Sequence, residues 1–166
     1  SHVCGYRNGS SGPRSDDLLY SMPNALITFD RFWDTGFRIQ PRLLADHPRA
    51  LDPAIKSSNL LNNILAMREA QSRGAEEPVL LNQEGFVAEG ASTNVFLARG
   101  GALLTPPLSA GILAGITREV VLELLPGLGI SFRDEPLHLD DLLGADEAFL
   151  TSTTREVVPV RQVDEA

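Results

Sequence analysis

The chain of 166 residues holds one cysteine, Cys4. An internal disulfide and a cysteine metal cluster are therefore excluded. Its three histidines, His2, His47 and His138, form no pair at metal-ligand spacing, so no metal site is expected. Apolar runs stay well short of the roughly 20 residues needed to cross a bilayer. The opening Ser1-His2-Val3 also lacks the basic-then-apolar pattern of a signal peptide, which makes the cytoplasm the expected location. Positive charge is scarce too, 14 basic residues against 22 acidic for a net charge of −8. The arginines are dispersed, so neither nucleic acid nor a membrane surface is expected as a partner. There is no GxSxG elbow, no GKS/T phosphate loop and no GxGxxG. Serine-triad, nucleoside-triphosphate and dinucleotide readings therefore find no support. The scarcest basic residue is lysine. Thirteen of the 14 basic residues are arginine, and Lys56 is the single lysine.

What is present, 43% apolar and 22% charged residues, describes a globular domain or a large piece of a two-domain protein. GYRNGSSGPRSDD (5–17) is rich in Gly, Ser, Pro and charge and reads as a linker or exposed loop. Strands are expected at 24–30 and 37–40, followed by a proline-rich loop from 41 to 54. From Ser58 to about Arg73, Leu60, Leu61, Ile64 and Leu65 recur on one helical face. PVLLNQEGFVAEG and VFLARGGALLTP each read as strand, glycine-bearing turn, strand. A second amphipathic helix is expected from about Thr117 to before Gly127. A strand SFRDEPL, a short helix LDDLLGAD and two strands around a polar turn in EAFLTSTTREVVPV complete the pattern. Helices and strands alternate without a strict βαβ rhythm, which favours an α+β fold or a mixed sheet.

Four stretches carry candidate chemistry. Lys56 is either a solvated charge or an amine that forms a Schiff base with a carbonyl cofactor, chemistry a guanidinium does not offer. Glu89 follows an apolar strand and precedes a Gly-Ala-Ser-Thr bend. It is a surface charge or a carboxylate that holds a proton on a heterocyclic nitrogen. GILAGITRE (111–119) sets two glycines before a helix with Thr117 as candidate N-cap. That is an ordinary capped helix or an anion site. TSTT (151–154) terminates a strand or supplies hydroxyl donors to a phosphate.

Taken in order, IKSSNLLNNILAMREA, GFVAEGASTNVFLARGGALLTP, GILAGITRE and DEAFLTSTTREVVPV resemble the pyridoxal-phosphate enzymes of the class IV aminotransferase family. That family includes D-amino-acid and branched-chain aminotransferases and aminodeoxychorismate lyase. The resemblance covers roughly residues 24–164. It implies an α+β fold, the large C-terminal domain of the D-amino-acid aminotransferase-like fold, with a mixed or antiparallel, barrel-like sheet and flanking helices. Residues 1–23 would be the end of a smaller N-terminal domain and its linker, and 24–166 the cofactor-binding domain. The small domain, which in the family adds a phosphate-binding arginine and an aromatic residue beside the ring, would lie outside this chain.

The resemblance also implies roles. Lys56 would form the Schiff base with pyridoxal 5′-phosphate and shuttle a proton. Glu89 would pair with the pyridine nitrogen, and Leu113 would pack on the ring face. Gly115, Ile116 and Thr117 would receive the phosphate, with Ser152 and Thr153 beside it and lining the substrate side. The activity implied is amino-group transfer between an amino acid and a 2-oxo acid, in a homodimer. Two alternatives stand beside it: elimination by an aminodeoxychorismate lyase, giving 4-aminobenzoate and pyruvate, and a non-catalytic truncated domain.

Overall fold

The computed structural model describes the backbone of residues 37–43 and, with their side chains, residues 55–58 and 60–164. The strand expected at 24–30, residues 44–54 of the expected loop and the linker at the start lie outside the described residues, while residues 41–43, expected to open that loop, continue the strand from Phe37 to Leu43.

Eight strands form one mixed sheet in the order β3-β2-β1-β8-β7-β4-β5-β6. They are β1 (Phe37–Leu43), β2 (Glu77–Leu81), β3 (Val87–Gly90), β4 (Asn94–Arg99), β5 (Ala102–Thr105), β6 (Ser131–Asp134), β7 (Glu147–Ser152) and β8 (Glu156–Val163). Strand β1 pairs in parallel with β2 and β8, and β5 in parallel with β6, while the other pairs are antiparallel. Parallel neighbours need a crossover. Helix α1 (Leu61–Ser72) lies between β1 and β2, and α2 (Ile116–Leu124) lies between β5 and β6. A short α3 (Leu139–Leu143) precedes β7. The α+β expectation holds, but the barrel-like closure does not. The strand order ends at β3 and β6, and no pairing joins those edges among the described residues.

Strand β4 shows why the run VFLA (95–98) is apolar throughout. Phe96 and Ala98 pack in one cluster with Leu103, Val121, Leu125 and Phe149. Val95 and Leu97 pack in another with Val79, Leu104, Leu137 and Leu150. Because successive side chains point to opposite faces, a strand covered on both sides loses its alternation. Phe96 and Phe149 are register partners, stacked with centroids 4.9 Å apart. The β4–β5 hairpin turns at Gly100 and Gly101, both at positive φ, as its Gly-Gly sequence predicts.

Helix α1 buries little of its apolar face. The side chains it buries are Ala66 and Ala70, while Leu61 and Ile64 are 62% and 52% exposed. The leucine face that periodicity assigns to the core thus stands open in this chain. Helix α2 starts at Ile116 with Gly115 as N-cap and no side-chain cap. Thr117 therefore sits inside the first turn rather than capping it, and its hydroxyl is not used by the helix.

Candidate functional site

The ends of β3 and β7, the start of β4, the start of α2 and the segment before α1 surround a cavity of about 710 Å³. Every residue named from the sequence lines it: Lys56, Glu89, Leu113, Gly115, Ile116, Thr117, Ser152 and Thr153. Stretches separated by up to 97 positions are gathered because Asn94, first in β4, is the register partner of Thr151 near the end of β7.

Glu89 is the most constrained of these. It is half-buried on β3, and its Oε2 accepts from the Leu113 backbone N–H at 2.9 Å and from Asn94 Nδ2 at 3.3 Å. Asn94 Nδ2 also donates to the Leu113 carbonyl at 2.9 Å. One amide therefore fixes both the carboxylate and the loop before α2. Both donors fall on Oε2, which leaves Oε1 for a further donor. Burial pushes the Glu89 carboxyl up from 4.5 to about 7, against the Leu113 hydrogen bond and the charge of Lys56, which both lower it. That value suits a carboxylate that shares a proton with a basic heterocycle near neutral pH.

Gly115 is required by this packing. A Cβ there would strike Asn94 Oδ1, so a side chain would dislodge the amide that holds Glu89. Downstream, the N–H groups of Ile116 and Thr117 open the helix, and the first intrahelical bond near them runs from Glu119 N to the Gly115 carbonyl at 3.0 Å. Unused first-turn donors and the helix dipole attract an anion. Across the cavity, Ser152 is half-buried and Thr153 exposed.

Lys56 lies on the cavity wall and is exposed. Its charge is nonetheless felt at Glu89, which puts the amine and the carboxylate in one electrostatic neighbourhood.

Sequence reasoning passed over two residues of this wall. Asn94 was legible only as the end of EGASTN, and its role follows from contacts with Glu89 and Leu113. Thr151 is the first hydroxyl of TSTT, whereas the reading selected the second and third. It is 1% exposed, and its Oγ1 is buried with no hydrogen-bond partner among the described residues. Register places Thr151 opposite Asn94, an alignment no local sequence signal carries.

The sequence model of the family described as amino-transferase class IV matches residues 8–163. A D-alanine aminotransferase of Bacillus licheniformis is 43% identical over 122 residues, 74% of this chain and 43% of that protein. The branched-chain-amino-acid aminotransferase of Escherichia coli K12 is 38% identical over 118 residues, 70% of this chain and 38% of its own length. Among solved structures, the branched-chain aminotransferase of Thermoproteus uzoniensis aligns with a TM-score of 0.75 at 39% identity, covering 78% of this chain and 44% of that one. The chain thus spans about two fifths of the curated relatives it matches. No helix among the described residues is long and apolar enough to cross a membrane.

Proposed function

Because the chain belongs to the class IV aminotransferase family, we propose that it is the cofactor-holding part of a pyridoxal-phosphate-dependent aminotransferase. Its reaction moves an amino group between an amino acid and a 2-oxo acid. The observation that carries this reading is a single cavity lined by the chain's one lysine, Glu89, the start of α2 and the hydroxyls that end β7.

Pyridoxal phosphate presents an aldehyde, a ring nitrogen and a phosphate, and the wall offers a partner for each. Bound, it supplies an electron sink for the bonds at the substrate's Cα. Lys56 Nζ, on the cavity wall, would hold the aldehyde and would carry a proton. Glu89, held through Oε2, keeps Oε1 for the ring N–H and holds the proton there. Leu113 is fixed through its backbone on the same loop and would cover the ring face. The N–H groups of Ile116 and Thr117, reached past Gly115, take the phosphate with Ser152 and Thr153. The unpartnered Thr151 hydroxyl fits a polar ligand on this wall. Two of the similar structures carry this cofactor by name: the Thermobaculum terrenum branched-chain enzyme in its PLP form and a Brucella abortus aminotransferase bound to PLP.

We read residues 24–166 as the cofactor-binding domain, residues 1–23 as the end of a smaller N-terminal domain and its linker, and the working protein as a cytoplasmic homodimer. A monomeric sedimentation coefficient for the intact natural protein would contradict the last point. One observation favours a second reaction. A Legionella pneumophila protein whose name proposes a 4-amino-4-deoxychorismate lyase aligns at 29% identity with a TM-score of 0.74.

The test uses the intact natural protein. Adding pyridoxal phosphate should give the visible absorbance band of a lysine adduct, and Lys56→Ala should lose it. Glutamate formed from 2-oxoglutarate with D-alanine or a branched-chain amino acid favours transfer. Pyruvate released from aminodeoxychorismate favours elimination. No band in the unsubstituted protein sinks both readings and leaves a non-catalytic domain.

A further inference from the structure

Glu77 opens β2 with no measurable exposure, and it is not among the residues lining the cavity. A carboxylate this deep is costly unless donors surround it. Its Oε1 accepts from the Ser92 backbone N–H at 3.0 Å, from Ser92 Oγ at 3.4 Å and from Thr93 Oγ1 at 3.2 Å. Its Oε2 lies 3.5 Å from Arg155 Nη1. The donors come from two separate places. Ser92 and Thr93 form the turn between Glu89 and Asn94. Arg155 closes the turn that follows Ser152 and Thr153.

We propose that Glu77 is a positioning residue that ties these two turns together and so sets the two rims of the cofactor cavity. The inference rests on the cavity's reading as a pyridoxal-phosphate site. The two oxygens divide the task. Oε1 gathers the β3–β4 turn, which carries Glu89 and Asn94 on its flanks. Oε2 draws in the β7–β8 turn, which carries the phosphate-side hydroxyls. Gly90 is shaped by the same arrangement, since a Cβ there would meet both Thr93 Oγ1 and Glu77 Oε1. The Gly90 N–H instead closes the turn on the Thr93 carbonyl at 2.7 Å.

This division makes distinct predictions for distinct variants. Glu77→Gln keeps an acceptor for Ser92 and Thr93 but turns an amide toward Arg155, so it releases mainly the phosphate-side turn. Thr93→Val keeps its shape and removes one donor from the other turn. Both are milder than Glu77→Ala, which empties a buried site.

The experiment titrates the intact natural protein and these two variants with pyridoxal phosphate and with pyridoxal, following the visible band that depends on Lys56. Circular dichroism and cooperative unfolding establish that each variant is folded. Glu77→Gln should weaken pyridoxal phosphate about tenfold and pyridoxal little, so the ratio between the two ligands falls. Thr93→Val should weaken both ligands by a similar, smaller factor, about threefold. Loss of thermal stability alone, with both dissociation constants unchanged for the folded protein, would overturn the proposal and leave the cofactor reading intact. Equal weakening of both ligands by Glu77→Gln would also overturn it, because the phosphate-side arm would then have no role. An unsubstituted protein that gives no Lys56-dependent band would overturn the cofactor reading and this inference together.

Discussion

A carboxyl held near pH 7 by burial makes folding depend on pH, and Glu89→Gln isolates that dependence. In the unfolded chain Glu89 titrates at its ordinary value of 4.5, and in the folded chain at about 7. The raised value means the folded state favours the protonated form. The stabilising contribution is therefore complete below pH 4.5, shrinks as pH rises, and is lost above about pH 7. At about 1.4 kcal/mol for each tenfold change in proton affinity, the difference is worth about 3 kcal/mol. The amide introduced by Glu89→Gln would keep an oxygen for the Leu113 N–H and carry no charge, so the variant's stability lacks this term. Urea unfolding of both proteins without added cofactor, at intervals from pH 4.5 to 7.5, gives the comparison. The wild-type stability minus that of Glu89→Gln should fall by about 3 kcal/mol across the range. A difference that stays level would refute the reasoning, because a carboxyl that titrates alike in both states cannot be desolvated by this packing.

Two further substitutions test the scaffold around the site. Phe149→Ala removes a fully buried ring stacked on Phe96 and should cost about 3–5 kcal/mol in denaturant unfolding. Gly115→Ala places a methyl group against Asn94 Oδ1. It should cost about 1–3 kcal/mol and also steepen the pH dependence assigned above to Glu89, because moving Asn94 withdraws a donor from the carboxylate.

The strands were legible because their signals are local. The Gly-Gly turn at 100–101 and the Gln83-Glu84-Gly85 turn carry their conformations in residues with special φ. Residues that depend on distant partners were not legible in the same way. Glu77, in EEPVLL, looks like a surface charge beside Glu76. It is buried because donors 15 to 78 positions away converge on it. The exposure of the α1 leucines is not legible for a related reason. Periodicity shows that Leu60, Leu61, Ile64 and Leu65 share a side, but not that anything covers that side. The alanines face the sheet because their small side chains permit a close approach. The sequence reading also chose Ser152 and Thr153 over Thr151. Only strand register, a property of two segments 57 positions apart, puts Thr151 opposite Asn94.

That register explains how weak local motifs become one site. Asn94↔Thr151 and Phe96↔Phe149 belong to one antiparallel ladder. The stacked rings in the core fix the same alignment that sets Asn94 beside Thr151 at the cavity. A slip of one residue would turn every side chain of one strand to the other face. It would separate the two phenylalanines and expose apolar surface on both sides of a sheet that is covered on both. The hydrophobic cost of that slip, shared by Val95, Phe96, Leu97, Phe149 and Leu150, holds the polar pair in place without a hydrogen bond from the Thr151 hydroxyl among the described residues. The position of the site is thus set by the core, while Glu77, Asn94 and Gly115 set the finer placement of the groups around it.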